Sequence, residues 1–139
     1  MPRIERTAQV TWEGNVARGG GSMTAGSGAF SGLPYSLPAR IGAVEGKTSP
    51  EELLAAAHAG CLTMGIATEL TQAGRPPERL EVSCRIVMDE VEGQGHQIVG
   101  SHVTVPADVP AGLVERADAA CPFSIMLRNA GAEVTISRA

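Results

Sequence analysis

Ser49-Pro50-Glu51-Glu52-Leu53-Leu54-Ala55-Ala56-Ala57-His58-Ala59-Gly60-Cys61-Leu62-Thr63-Met64-Gly65-Ile66-Ala67 is the stretch on which the fold turns. Ser49 has N-cap chemistry, Pro50 suits the first helical position, and Glu52 completes a Ser-x-x-Glu capping box. Glu51 and Glu52 also favour the positive end of a helix dipole. The pattern predicts a helix from Ser49 to about Ala73, stopped by Gly74 with Pro76 and Pro77 beyond. Between residues 53 and 67 it is apolar nearly all round, so it is expected to be buried on most sides. That window is broken by His58 and Thr63 and is shorter than a bilayer span, so no membrane is expected.

On the N-terminal side, residues 5–47 read as strands and turns. Residues 7–12 have strand composition, residues 13–15 turn chemistry, and residues 16–18 read as a resumed strand. Gly19-Gly20-Gly21 and Gly26-Ser27-Gly28 mark turns around a short strand at 22–25. Residues 34–47 read as an irregular loop. On the C-terminal side, residues 80–89 alternate, with Val82, Cys84, Ile86 and Met88 on one face. A turn at 93–95 and a strand at 97–105 make a hairpin. A helix is predicted at 111–120, a second from Pro122 to about Asn129, and a last strand at 133–137. The order is α+β, in one domain spanning 1–139.

Composition excludes several classes. The 139 residues carry a net charge of −4, and only 3% are aromatic. A nucleic-acid partner wants a basic face and stacking rings, so none is expected. The first ten residues lack the apolar run of a signal peptide, and the expected location is cytoplasmic. There thiols stay reduced unless they do chemistry, so three cysteines make a poor disulfide scaffold.

Each candidate site has a plain reading beside the functional one. Cys61 alone is a small apolar residue in a packed helix. Cys121, placed just before a helix that opens with Pro122, sits where free N–H groups favour a thiolate. His58 shares a helical face with Cys61 and is read as a hydrogen-bonded core or interface histidine. His58, Cys61 and a remote cysteine make only three ligands, so no metal site is expected. Cys84 is read as structural. Gly42-Ala43-Val44-Glu45-Gly46-Lys47-Thr48 has three residues between its glycines where a phosphate loop needs four. Gly19-Gly20-Gly21 lacks the strand–turn–helix setting of a dinucleotide site. Arg40, by its own residues, is an ordinary surface arginine.

Several segments together resemble the OsmC/Ohr peroxidases, named for osmotic induction and organic hydroperoxide resistance. They are Trp12-Glu13-Gly14-Asn15, Arg18-Gly19, Pro34-Tyr35 leading to Arg40, residues 49–53 and 56–61 of the long helix, and Cys121-Pro122-Phe123-Ser124. The Trp-Glu-Gly start and the Ala-His-Ala-x-Cys helix are closer to the OsmC branch. The resemblance implies an intertwined α+β homodimer, with antiparallel sheets wrapped around two long central helices. It implies a peroxidase without metal or other cofactor. Cys61 would attack the peroxide, Cys121 would resolve the sulfenic acid to a disulfide, and a dithiol, possibly of lipoyl type, would reduce the enzyme. Arg40 would activate Cys61 and Glu51 would orient Arg40. Glu51 lies ten residues before Cys61, about 15 Å along a helix, so an arginine or a partner chain would have to bridge them. A redox or metal sensor, or a binding protein using the same cysteines without turnover, is the alternative class. A structural domain with buried thiols is the third.

Overall fold

A computed structural model describes residues 2–42 and 44–139. Met1, at the start of the segment read as leader-free, and Ala43, within the rejected phosphate-loop stretch, lie outside the described residues. The chain forms two compact units, residues 1–50 and 51–139.

The first unit is a three-stranded antiparallel sheet of β1 (Ala8–Glu13), β2 (Gly20–Ala25) and β3 (Leu33–Tyr35), followed by the short helix α1 (Leu37–Ile41). Residues 16–18 turn the chain and do not resume a strand. The Asn15 side chain accepts from the Arg18 N–H at 2.8 Å, and the Gly19 N–H donates to the Asn15 carbonyl at 2.7 Å. An Asx turn of this kind competes with extended structure. Gly20 and Gly21, expected in a turn, instead open β2. Gly21 pairs with both Trp12 and Tyr35, whose rings meet edge to face at 5.5 Å. A Cβ there would collide with the Tyr35 ring and lie 2.8 Å from that of Trp12. The predicted loop at 34–47 contains α1, started by the Ser36 hydroxyl accepting from the Ala39 N–H at 3.2 Å.

The second unit is built on α2 (Pro50–Gln72). Its buried positions, His58, Leu62, Ile66 and Leu70, recur every four residues and form one stripe. The three aliphatic members pack with Val103, Val105, Leu113, Val114, Ala117 and Cys121 in a single core. Burying each such side chain contributes about 1.5–3 kcal/mol. Gly74, at φ 75°, ends the helix, and the Arg75 N–H closes back on the Leu70 carbonyl at 2.9 Å. The opposite face, Ala56, Gly60, Met64 and Thr68, is exposed, Met64 by 74%. Within a single protomer the helix is thus buried along one stripe. It is also longer than the apolar window read from sequence, and its 23 residues meet the length and composition of a membrane span. Its buried stripe nonetheless belongs to the core just described.

Strands β4 (Ser83–Val91) and β5 (Gly95–Val105) form the predicted hairpin, with a bulge between Val87 and Met88. Helices α3 (Ala111–Ala120) and α4 (Pro122–Asn129) lie where expected, and β6 (Glu133–Arg138) completes the sheet. The α+β class stands, with one amendment to the expectation of antiparallel sheets: β6 runs parallel to β5. The two intervening helices are the crossover that a parallel pair requires.

Candidate active site

Cys61 and Cys121 lie close together at one edge of the core. Cys61 lies midway along α2 and is half-buried; Cys121 is 3% exposed and forms the hinge between α3 and α4. Its N–H donates to the Asp118 carbonyl at 3.1 Å and its carbonyl accepts from the Ile125 N–H at 3.0 Å, so one residue closes α3 and opens α4. Pro122 at the first position of α4 has no N–H. The next residue, Phe123, packs with Cys61 against the core cluster that contains Cys121, and both the Cys121 thiol and the Phe123 backbone act on the Cys61 pKa. Both thiols are free. Sequence reasoning assigned the helix start to Cys121. In the fold the Phe123 backbone also acts on Cys61, lowering its pKa against the larger effect of burial.

Electrostatics set a requirement on this pair. Burial pushes the Cys61 thiol above its ordinary range, and the neighbouring Cys121 pushes it further. The Phe123 backbone acts the other way but is the smallest influence. A thiol in this setting holds its proton at neutral pH until a cation is brought to it.

His58 is fully buried, as are its two partners Ser101 on β5 and Ser124 on α4. Nδ1 lies 2.6 Å from the Ser101 hydroxyl and Nε2 lies 2.8 Å from that of Ser124. A neutral imidazole has one donor and one acceptor nitrogen, so both serines are satisfied in either tautomer. Burial lowers the His58 pKa below the usual 6.5; Asp118 opposes this and Arg128 reinforces it. The Asp118 carboxylate and Arg128 guanidinium pair at 2.7 Å, tying the end of α3 to α4. Because the folded pKa is depressed, the unfolded chain binds the His58 proton first as pH falls. The stability contributed by neutral His58 is thus present above 6.5 and lost as pH falls from there toward the folded value. Wild-type protein is expected to lose Tm more steeply between pH 7.5 and 5.5 than His58→Gln. Equal slopes in calorimetric scans would refute this.

Cys84 stands at the far end of the same network, 3.3 Å from the Ser101 hydroxyl and 4.0 Å from His58 Nδ1. Burial raises its pKa, and the Ser101 contact only partly offsets this, which fits an unreactive thiol. Glu51 sits in the first turn of α2. Arg40 belongs to the N-terminal unit, near the end of α1. There it lines a cavity of about 340 Å³ with Trp12, Val16, Tyr35, Ser36 and Leu37. Among the described residues, no cluster of three or more His, Cys, Asp or Glu could hold a metal ion.

The partners of His58 were the residues that sequence reasoning missed. Ser101 alternates with the buried Val103 and Val105, a polar residue on an otherwise apolar face. Ser124 falls in the first turn of the helix that Cys121 opens. An inward serine on each element was the available signal.

Paired thiols between a long helix and a helix start, in an α+β frame, define a thiol protein of the OsmC type. The OsmC-like protein family model matches residues 43–137. Peroxiredoxin OsmC of Escherichia coli (strain K12) is 34% identical over 140 aligned residues, covering 96% of this chain and 94% of that one. The chain belongs to the OsmC-like family. Its fold is also that of an organic hydroperoxide resistance protein from Elizabethkingia anophelis, with a TM-score of 0.73 at 22% identity over all of both chains. OhrB of Bacillus subtilis gives 0.69 at 23% identity, over 96% of this chain and 98% of that one.

Proposed function

We propose that this chain is a cytoplasmic thiol peroxidase that reduces organic hydroperoxides, and hydrogen peroxide less well, working as a single OsmC-like domain within a homodimer. The coarse class, a peroxiredoxin-like hydroperoxide reductase, follows from family membership and the 34% identical relative. The observation that supports the mechanism is the packing of Cys61 against the core cluster that contains Cys121, close enough for the Cys121 thiol to act on that of Cys61. Cys61 thiolate attacks the distal peroxide oxygen; the O–O bond breaks, alkoxide leaves and takes a proton, and Cys61 becomes a sulfenic acid. The Cys121 thiol displaces that hydroxyl as water and closes a disulfide. An external dithiol of lipoyl type then returns both cysteines to thiols and leaves as its own disulfide. No cofactor enters.

Arg40 is read as the cation that lowers the Cys61 pKa, oriented by Glu51. The burial-raised Cys61 thiol is the reason one is needed. Trp12, Val16, Tyr35 and Leu37 beside Arg40 offer an apolar wall for the organic part of a hydroperoxide. The homodimer is supported by the bare Ala56–Gly60–Met64 face of α2, whose small residues permit close approach, and by β1, exposed along its whole length.

The test is steady-state loss of cumene hydroperoxide with dihydrolipoamide as donor. Turnover supports an enzyme. Loss of two thiols per chain without turnover would favour a sensor, and no loss of thiols a structural domain. Arg40→Ala is expected to raise the Cys61 pKa and to lower kcat/KM by about a hundredfold. An unchanged thiolate absorbance titration would remove Arg40 from the mechanism.

A further inference from the structure

We propose that His58 is a positioning residue: through Ser124 it fixes the first turn of α4, and with it Cys121 and Phe123, against the helix that carries Cys61. The inference rests on the redox reading of the cysteine pair above. His58 and Cys61 are three residues apart on α2 and share a face. Ser124 is the third residue of α4, next to Phe123 and three after Cys121. The 2.8 Å contact from His58 Nε2 to Ser124 therefore joins the helix that carries one cysteine to the turn that carries the other. The far side of the ring is held by Ser101 at 2.6 Å, so the imidazole cannot swing away and release α4.

Both ring nitrogens are occupied by hydroxyls, which leaves His58 no free nitrogen to accept the Cys61 proton. Its contribution is register. Three fully buried polar side chains are costly unless each is satisfied, and an apolar side chain in the same space would tolerate several placements of α4. A directional hydrogen bond tolerates one. The geometry matters because the influence of a backbone N–H on a thiol weakens steeply with distance and angle, and disulfide closure needs the two sulfurs aligned.

The test compares Ser124→Ala with Ser101→Ala. Each removes one hydrogen bond from the same ring, but only the first frees α4. Alkylation of Cys61 by iodoacetamide is followed against pH at the Cys61 peptide by mass spectrometry, with Tm measured in parallel. After graded cumene hydroperoxide, Cys61 is scored as disulfide or sulfinic acid. Ser124→Ala is expected to move the alkylation midpoint upward and to cut the disulfide share several-fold, while Ser101→Ala loses similar Tm with a smaller change in both. If the two variants shift both readouts equally, in proportion to Tm, or shift neither, the positioning role is overturned. If wild-type protein forms no Cys61–Cys121 disulfide yet the midpoints still separate the variants, the redox reading fails, while the placement of α4 against the helix that carries Cys61 is upheld.

Discussion

Cys61→Ser is expected to remove peroxide consumption to the uncatalysed background, a fall on the order of 10⁴-fold or more. A serine hydroxyl stays protonated at neutral pH and has no counterpart of the sulfenic acid, so neither the attack nor the later disulfide can occur. The fold should tolerate the change, because Cys61 is half-buried at the edge of the core and the replacement is smaller by little. A near-native Tm with no turnover would place the loss in chemistry. Undiminished consumption of cumene hydroperoxide would remove Cys61 from the reaction and with it the proposed function.

Cys121→Ser is expected to give a different failure. Cys61 would still complete one attack, because the Phe123 backbone influence that lowers its pKa does not depend on the Cys121 side chain. The sulfenic acid would then have no partner thiol in reach. A burst of one peroxide per chain should be followed by a stall, and excess peroxide should drive Cys61 to sulfinic acid, a gain of 32 mass units over the thiol by the two added oxygens. Stopped-flow peroxide loss reads the burst, and mass spectrometry reads the Cys61 peptide. Normal cycling with a dithiol would mean that Cys121 does not resolve the intermediate. Cys84 is not expected to substitute, since its sulfur faces Ser101 and His58 in the buried network.

Much of the fold was legible because its signals are local. The Ser49-Pro50 start and Gly74 stop bound α2 within a residue or two. Pro122 separated α3 from α4, and the alternation at 80–89 marked one arm of the hairpin. Where reading failed, a side chain or a neighbouring strand had overruled local propensity. Asn15 turned residues 16–18, Ser36 started a helix inside a presumed loop, and Gly20 and Gly21 joined a strand in which the rings of Trp12 and Tyr35 leave room only for glycine at position 21. The apolar Met64 face is exposed in the single protomer; hydropathy records that a surface is apolar, not what covers it.

The candidate site divides in the same way. The sequence by itself determined the residue types and their local settings: a cysteine in an apolar helix, a second at a helix start, a histidine one turn from the first. Those depend on neighbours within a few positions, where propensity, capping and helical periodicity act. Only the tertiary structure decided that Cys61 and Cys121 pack into one core and that Cys121 acts on the Cys61 thiol. It alone decided that β6 runs parallel to β5 and that His58 joins Ser101 to Ser124. The two His58 contacts span 43 and 66 residues of chain and form only where α2, β5 and α4 bury a common core. A hydrogen bond between such distant groups is made by packing, and no local pattern encodes it.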